Sequence, residues 1–123
     1  MTPADELLTA SRLLLDRAAS AIHEDRLTWA TGNTLGSKSP VVVDDPEKPS
    51  VLIETYAARL ESVNRYVALL GPATGLALAD WLSETAAEVA AVEGTEYALH
   101  PEGGTSKAWT AALAVARALN TGS

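Results

Sequence analysis

Arg59 and Tyr66 are the two side chains whose types and spacing best suit chemistry. They stand seven residues apart, so on a helix they return to one margin. There a guanidinium can hold a phosphate bidentately, and a phenol can stack on a base or donate its hydroxyl. The ordinary alternative is an amphipathic margin whose Arg and Tyr stems cover apolar surface while their polar heads stay wet. Trp29, in a polar-rich segment, is either a stacking platform or a core aromatic.

Other reactive sets are poorer. His23-Glu24-Asp25 offers ligand types, but neighbouring residues point different ways and do not readily surround one ion. His100 precedes Pro101 and reads as a turn residue. Asp44, Asp45 and Glu47 crowd one loop, where two carboxylates can share acid–base work. An exposed acidic turn that keeps strand edges soluble is the commoner use. Gly36-Ser37-Lys38-Ser39 superficially suggests a phosphate loop, but the required glycine spacing is missing and a strand, not a helix, is expected to follow. No serine occupies a nucleophile elbow. With no nucleophile, metal set or base, no enzyme and no cofactor are expected.

Composition narrows the classes further. The 123 residues suit one domain, with residues 94–106 as a flexible linker before a last helix. An apolar content of 47% excludes intrinsic disorder. It is built from Ala, Leu and Val with no Phe, so the core is aliphatic and each alanine buries little area. Such a chain gains by pairing with copies of itself, which favours a homo-oligomer, a dimer or larger. The net charge of −7 argues against a nucleic acid polymer or an anionic membrane as partner. There is no cysteine, hence no disulfide framework. No basic stretch and apolar run open the chain, and no apolar run spans a bilayer, so the cytoplasm is the expected location.

The positioning elements follow from periodicity. Thr2 can cap a helix over 3–21, with Pro3 at its first position and Asp5 and Glu6 near its positive end. Leu7, Leu8, Leu14, Leu15, Ala18 and Ile22 share its apolar face, and Leu13 lies off it. A short strand is expected near 27–30. Val41-Val42-Val43 and Val51-Leu52-Ile53 predict an antiparallel hairpin over about 41–54. Tyr56, Leu60, Val63, Val67 and Leu70 form the core stripe of a helix over 56–70, with Asn64 on one margin and Arg59 and Tyr66 on the other. Gly71-Pro72 stops that helix and starts another over 72–92, whose inner face carries Leu78, Leu82, Thr85, Ala86, Val89 and Val92. Ser106 can cap a terminal helix over 107–119. The fold class expected is α+β. Leu13, Leu69 and Leu76, each off its helix's apolar face, are candidates for an oligomer interface.

The order of these pieces resembles the Ead-like accessory proteins of phages and prophages, of actinobacterial type. Arg17-Ala18-Ala19-Ser20-Ala21 matches the end of that family's first helix, and Trp29 its Trp segment. Tyr66-Val67-Ala68, Pro72 and the helix from Leu76 to Leu82 match its second half, so the likeness spans roughly residues 5–90. Here Val63 takes the family's asparagine position, with Asn64 displaced by one, about 100° around the helix. Some related proteins are anti-defence sponges that bind cyclic nucleotide or ADP-ribose-derived immune signals without cleaving them, as dimers or larger oligomers. The resemblance implies a non-enzymatic protein that sequesters a small phosphate-containing ligand through Arg59, Asn64, Arg65 and Tyr66, with Trp29 alongside. It also implies a host cytosol location if the chain is phage-encoded. The alternative is a protein-interaction module that self-associates and binds a host or phage protein.

Overall fold

The computed structural model describes residues 1–22, 26–32, 41–43, 51–53, 61–100 and 106–122. Among the described residues there are four helices, α1 (Pro3–Ser20), α2 (Glu61–Leu69), α3 (Pro72–Ala91) and α4 (Lys107–Gly122), of 18, 9, 20 and 16 residues. Three described strands, β1 (Ala30–Gly32), β2 (Val41–Val43) and β3 (Val51–Ile53), have three residues each. The α+β class is therefore corrected to a mostly helical fold. The physical reason is length. A three-residue strand is about 10 Å long and cannot form a layer, whereas the long Ala- and Leu-rich segments favour helix. The strands make only a short antiparallel ladder in the order β1-β2-β3, with Ala30 opposite Val43 and Val42 opposite Ile53. Residues 27–29, expected in a strand, lie outside the ladder. The first part of the predicted second helix and the whole hairpin connection, 44–50, fall outside the described residues.

The chain divides into two compact units, Met1–Arg17 with Leu76–Ser123, and Ala18–Gly75. In the first, α1 contributes Ala4, Leu7 and Ala10 to the core, α3 Leu82, Ala86 and Val89, and α4 Ala112, Leu113 and Ala116. Leu99, in the segment expected to be a tether, joins the same core, while Leu8, Leu14, Trp109 and Leu119 close its rim. The small residues let helix backbones approach closely. At one such place the buried Ser11 hydroxyl donates to the Ala79 carbonyl at 2.7 Å. The Arg117 guanidinium meets the Glu6 carboxylate through two bonds of 3.2 and 3.3 Å, and Asn120 Nδ2 donates to the Glu6 carbonyl. Trp109 Nε1 donates to Glu88 Oε2 at 3.0 Å. Leu15, expected inside, is exposed.

Both capping expectations have counterparts in the geometry. The Asp5 N–H donates to the Thr2 hydroxyl, and the Thr2 N–H donates back to the Asp5 carboxylate, each at 3.1 Å, a reciprocal cap. The Trp109 N–H donates to Ser106 Oγ at 3.3 Å. The turn that follows α3 passes through Gly94, whose φ of 78° is the left-handed conformation that glycine adopts without a Cβ penalty.

The Asp5 cap has a measurable pH signature. Its carboxyl is held below the ordinary value, first by the Thr2 backbone N–H and then by the Thr2 side chain. A folded pKa below the unfolded value of about 3.9 favours the folded state above that pH. The contribution disappears as pH falls through the folded value. Asp5→Asn should therefore melt below the wild type at neutral pH. The gap should close as pH drops below about 4, as followed by melting curves from neutral to acid pH.

In the second unit α2 packs against β1 and β2. Its buried side carries Asn64 and Ala68, followed by the buried Gly71 and Pro72. The Ala73 N–H donates to the Leu27 carbonyl at 2.8 Å, which ties the Trp29 segment to the start of α3. A methyl group on Gly71 would stand 2.9 Å from the Trp29 backbone nitrogen and 3.1 Å from its Cβ and Cγ. The glycine is thus required by close approach.

Candidate functional site

The expected core stripe of α2 does not face inward. Asn64 is 1% exposed and Ala68 is 6% exposed, while Val63 is 49% and Leu70 is 42% exposed. The helix is turned about 100°, one residue, from the expected orientation. Trp29 lies beside this helix end, sharing a cavity of about 40 Å³ with Ala68, Leu69, Gly71 and Ala73, and the close approach of Trp29 to Gly71 leaves no room there for a larger residue. Val63 and Leu70 of the apolar stripe are left exposed, and Val67 is half-buried.

That rotation redistributes the candidate ligand residues. Tyr66 is 64% exposed, and Arg65 beside it is exposed. Asn64 lies inside the fold and is engaged there. Trp29 is half-buried against Gly71, with its Nε1 buried and unbonded among the described residues. It does not present an open stacking platform. Arg59 lies outside the described residues, as do His23, Asp44, Asp45 and Glu47. His100 is exposed. The structure therefore brings Arg65 and Tyr66 to one surface and withdraws Asn64 and most of Trp29 from it.

The interface candidates also separate. Leu69 is 71% exposed on α2, next to Val63, Tyr66 and Leu70. Leu27, 43% exposed, lines the same small cavity as Leu69 and extends the patch onto a second segment. Leu76 on α3 is half-exposed. Leu13, also half-exposed, lines a groove of about 210 Å³ with Leu14, Arg17 and Leu119. Sequence reasoning missed Val63 and Leu70 as surface residues. Apolar periodicity marks a face without saying what covers it, but the small and polar line Asn64, Ala68, Gly71 was the available signal.

Elsewhere in the first unit, an open cavity of about 260 Å³ is lined by Glu6, Thr9, Arg117, Asn120 and Thr121, with the Glu6–Arg117 pair on its wall. A groove of about 290 Å³ runs between Ala4, Asp5 and Leu8 of α1 and Ser83, Ala86, Ala87 and Ala90 of α3. No group of three metal-ligating side chains occurs among the described residues. No described helix is long and apolar enough to cross a membrane.

Comparison with protein-family models, curated proteins and solved structures found no match to this chain. The geometry just described is what bears on function. Its most distinctive feature is the exposed apolar face of α2.

Proposed function

We propose that this chain is a non-enzymatic protein-interaction module whose working surface is the outer face of α2. The observation that carries this reading is the set of four large apolar side chains exposed together, Val63, Tyr66 and Leu69 on the nine-residue α2 and Leu70 directly after it. Scattered surface leucines need no explanation, but a contiguous patch of this kind marks contact sites. The patch combines an aromatic anchor with aliphatic neighbours, the composition found at interface centres.

A second reading is supported by a different observation on the same helix. Arg65 and Tyr66 are adjacent and both exposed. This pair suits a phosphate and a base, and the likeness to phage accessory proteins gives the ligand class, a cyclic nucleotide or ADP-ribose derivative. On that reading the chain sequesters the signal without cleaving it.

One set of samples tests both. Wild type and Leu69→Asp are compared for protein capture and for sedimentation, then melted with and without cyclic nucleotides and ADP-ribose derivatives. The interaction reading expects contacts, with itself or another protein, that Leu69→Asp loses while its circular dichroism is unchanged. No contact of any kind by the wild type removes it. The sponge reading expects a melting shift that Arg65→Ala abolishes, and a flat response to every candidate ligand removes that one.

A further inference from the structure

We infer that the partner seated on the α2 face is a second copy of this chain, in an antiparallel two-fold contact centred on Tyr66. The inference rests on the interaction reading and names its occupant.

Two observations select a second copy, and a third sets the strength of the contact. The first is self-complementarity. Val63, Tyr66 and Leu69 are spaced three residues apart and all are exposed. With Tyr66 as origin, Val63 lies about 60° to one side and one turn back, and Leu69 about 60° to the other side and one turn forward. A two-fold axis beside Tyr66 therefore sets Val63 level with Leu69 of the second copy, and the reverse at the other end, while the two Tyr66 rings meet at the centre. An isologous contact has this reciprocity, residue i meeting j and j meeting i. Leu70, only about 40° from Tyr66, continues the apolar seam.

The second observation is charge. The chain carries a net −7, so two copies repel across most of their surface. α3 bears Asp80, Glu84 and Glu88 and no basic residue. The side chains of Val63, Tyr66, Leu69 and Leu70 carry no charge and have no acid among them; the exposed Arg65 flanks them about 40° from Leu69, so identical surfaces meet here without the acid–acid repulsion found on α3.

The third is area. A nine-residue helix is about 13.5 Å long, even with Leu27 beside it. Its face falls short of the roughly 800 Å² per partner of a standard stable interface. The contact therefore belongs to the weak class, a monomer–dimer exchange visible only as concentration rises.

The test uses a compensating pair of substitutions at the level positions. Sedimentation of the wild type from about 10 μM to about 1 mM, a range that brackets Kd values in the micromolar to millimolar range, should show the mean mass rising toward, and not beyond, two chains. Val63→Lys and Leu69→Glu, both at exposed positions, should each stay monomeric with unchanged circular dichroism. Mixed one to one, they should associate again, because each Lys then faces a Glu at one level while Leu69 and Val63 pack at the other. Tyr66→Ala should weaken self-association at least tenfold without rescue by either variant. A wild type that stays monomeric throughout, or variants that fail to rescue each other, overturns the two-fold contact. If the wild type is monomeric yet captures another protein that Leu69→Asp does not, the second copy is wrong and the interaction reading stands.

Discussion

Leu82→Ala is expected to lower the stability of this protein by about 3–5 kcal/mol, the upper part of the range for leucine-to-alanine changes in cores. Leu82 is fully buried on α3, among the core residues that α1 and α4 share with it. Removing three carbon atoms forfeits their transfer energy and leaves a cavity whose cost depends on how far the surroundings collapse. Here they collapse little. Half of the buried core residues of this unit are alanines, Ala4, Ala10, Ala86, Ala112 and Ala116, which have no side-chain torsion to swing into the void. Only helix movement can close it, and the Ser11–Ala79 bond and the Glu6–Arg117 pair oppose that movement. Against a total stability of roughly 5–15 kcal/mol, the loss should lower the urea midpoint strongly and place the melting transition well below that of the wild type. Leu69→Ala is the internal control. It makes the same chemical change on an exposed site and should stay within about 0.5 kcal/mol of the wild type. Equal effects at the two positions would show that the core is not where the structure places it.

The contrast between these leucines also shows what the residues disclosed and what they did not. Helix starts were legible because capping is local: Thr2, Pro3, Ser106 and Gly71-Pro72 act within one turn, and α1, α3 and α4 begin where those residues require. The inner face of α3 was legible too, since Leu82, Thr85, Ala86 and Val89 recur at helical spacing and all are buried. The class was not legible. Two β-branched triplets signalled strands, but strand content depends on length and on a layer to pack against, and neither is local. The orientation of α2 was lost for the same reason. Its stripe of Val63, Val67 and Leu70 is a good apolar pattern, yet burial depends on what packs against the helix, and its neighbours, β1, β2 and Trp29 at Gly71, are distant in the chain. Asn64 was a ligand candidate through the resemblance to the phage accessory proteins. Its burial depends on what packs against α2, which includes β1 and β2.

The Trp29–Gly71 contact yields the second prediction. Gly71→Ala ordinarily would be favourable, since at an unstrained backbone position the change stabilises by about 0.4–1 kcal/mol through the unfolded chain. At Gly71 the sign should reverse. The new methyl would sit 2.9 Å from the Trp29 backbone nitrogen, closer than real Cβ contacts come, and 3.1 Å from two of its side-chain carbons. A long, flexible side chain could yield, but a backbone atom yields only if its segment moves. This segment is tied down, because the neighbouring Leu27 carbonyl accepts the Ala73 N–H at the start of α3. Relief therefore means breaking that bond or displacing the helix junction, and the expected cost is about 1–3 kcal/mol, as for other overpacked sites. Urea midpoints for wild type and Gly71→Ala decide the sign, and an alanine variant more stable than the wild type would refute the close approach. Any displacement of the junction also shifts the last turn of α2, where Leu69 and Leu70 sit. Gly71→Ala should consequently weaken whatever contact the α2 face makes, under conditions where the variant remains folded. Loss of stability together with loss of association would tie the Trp29–Gly71 contact to the exposed face of α2.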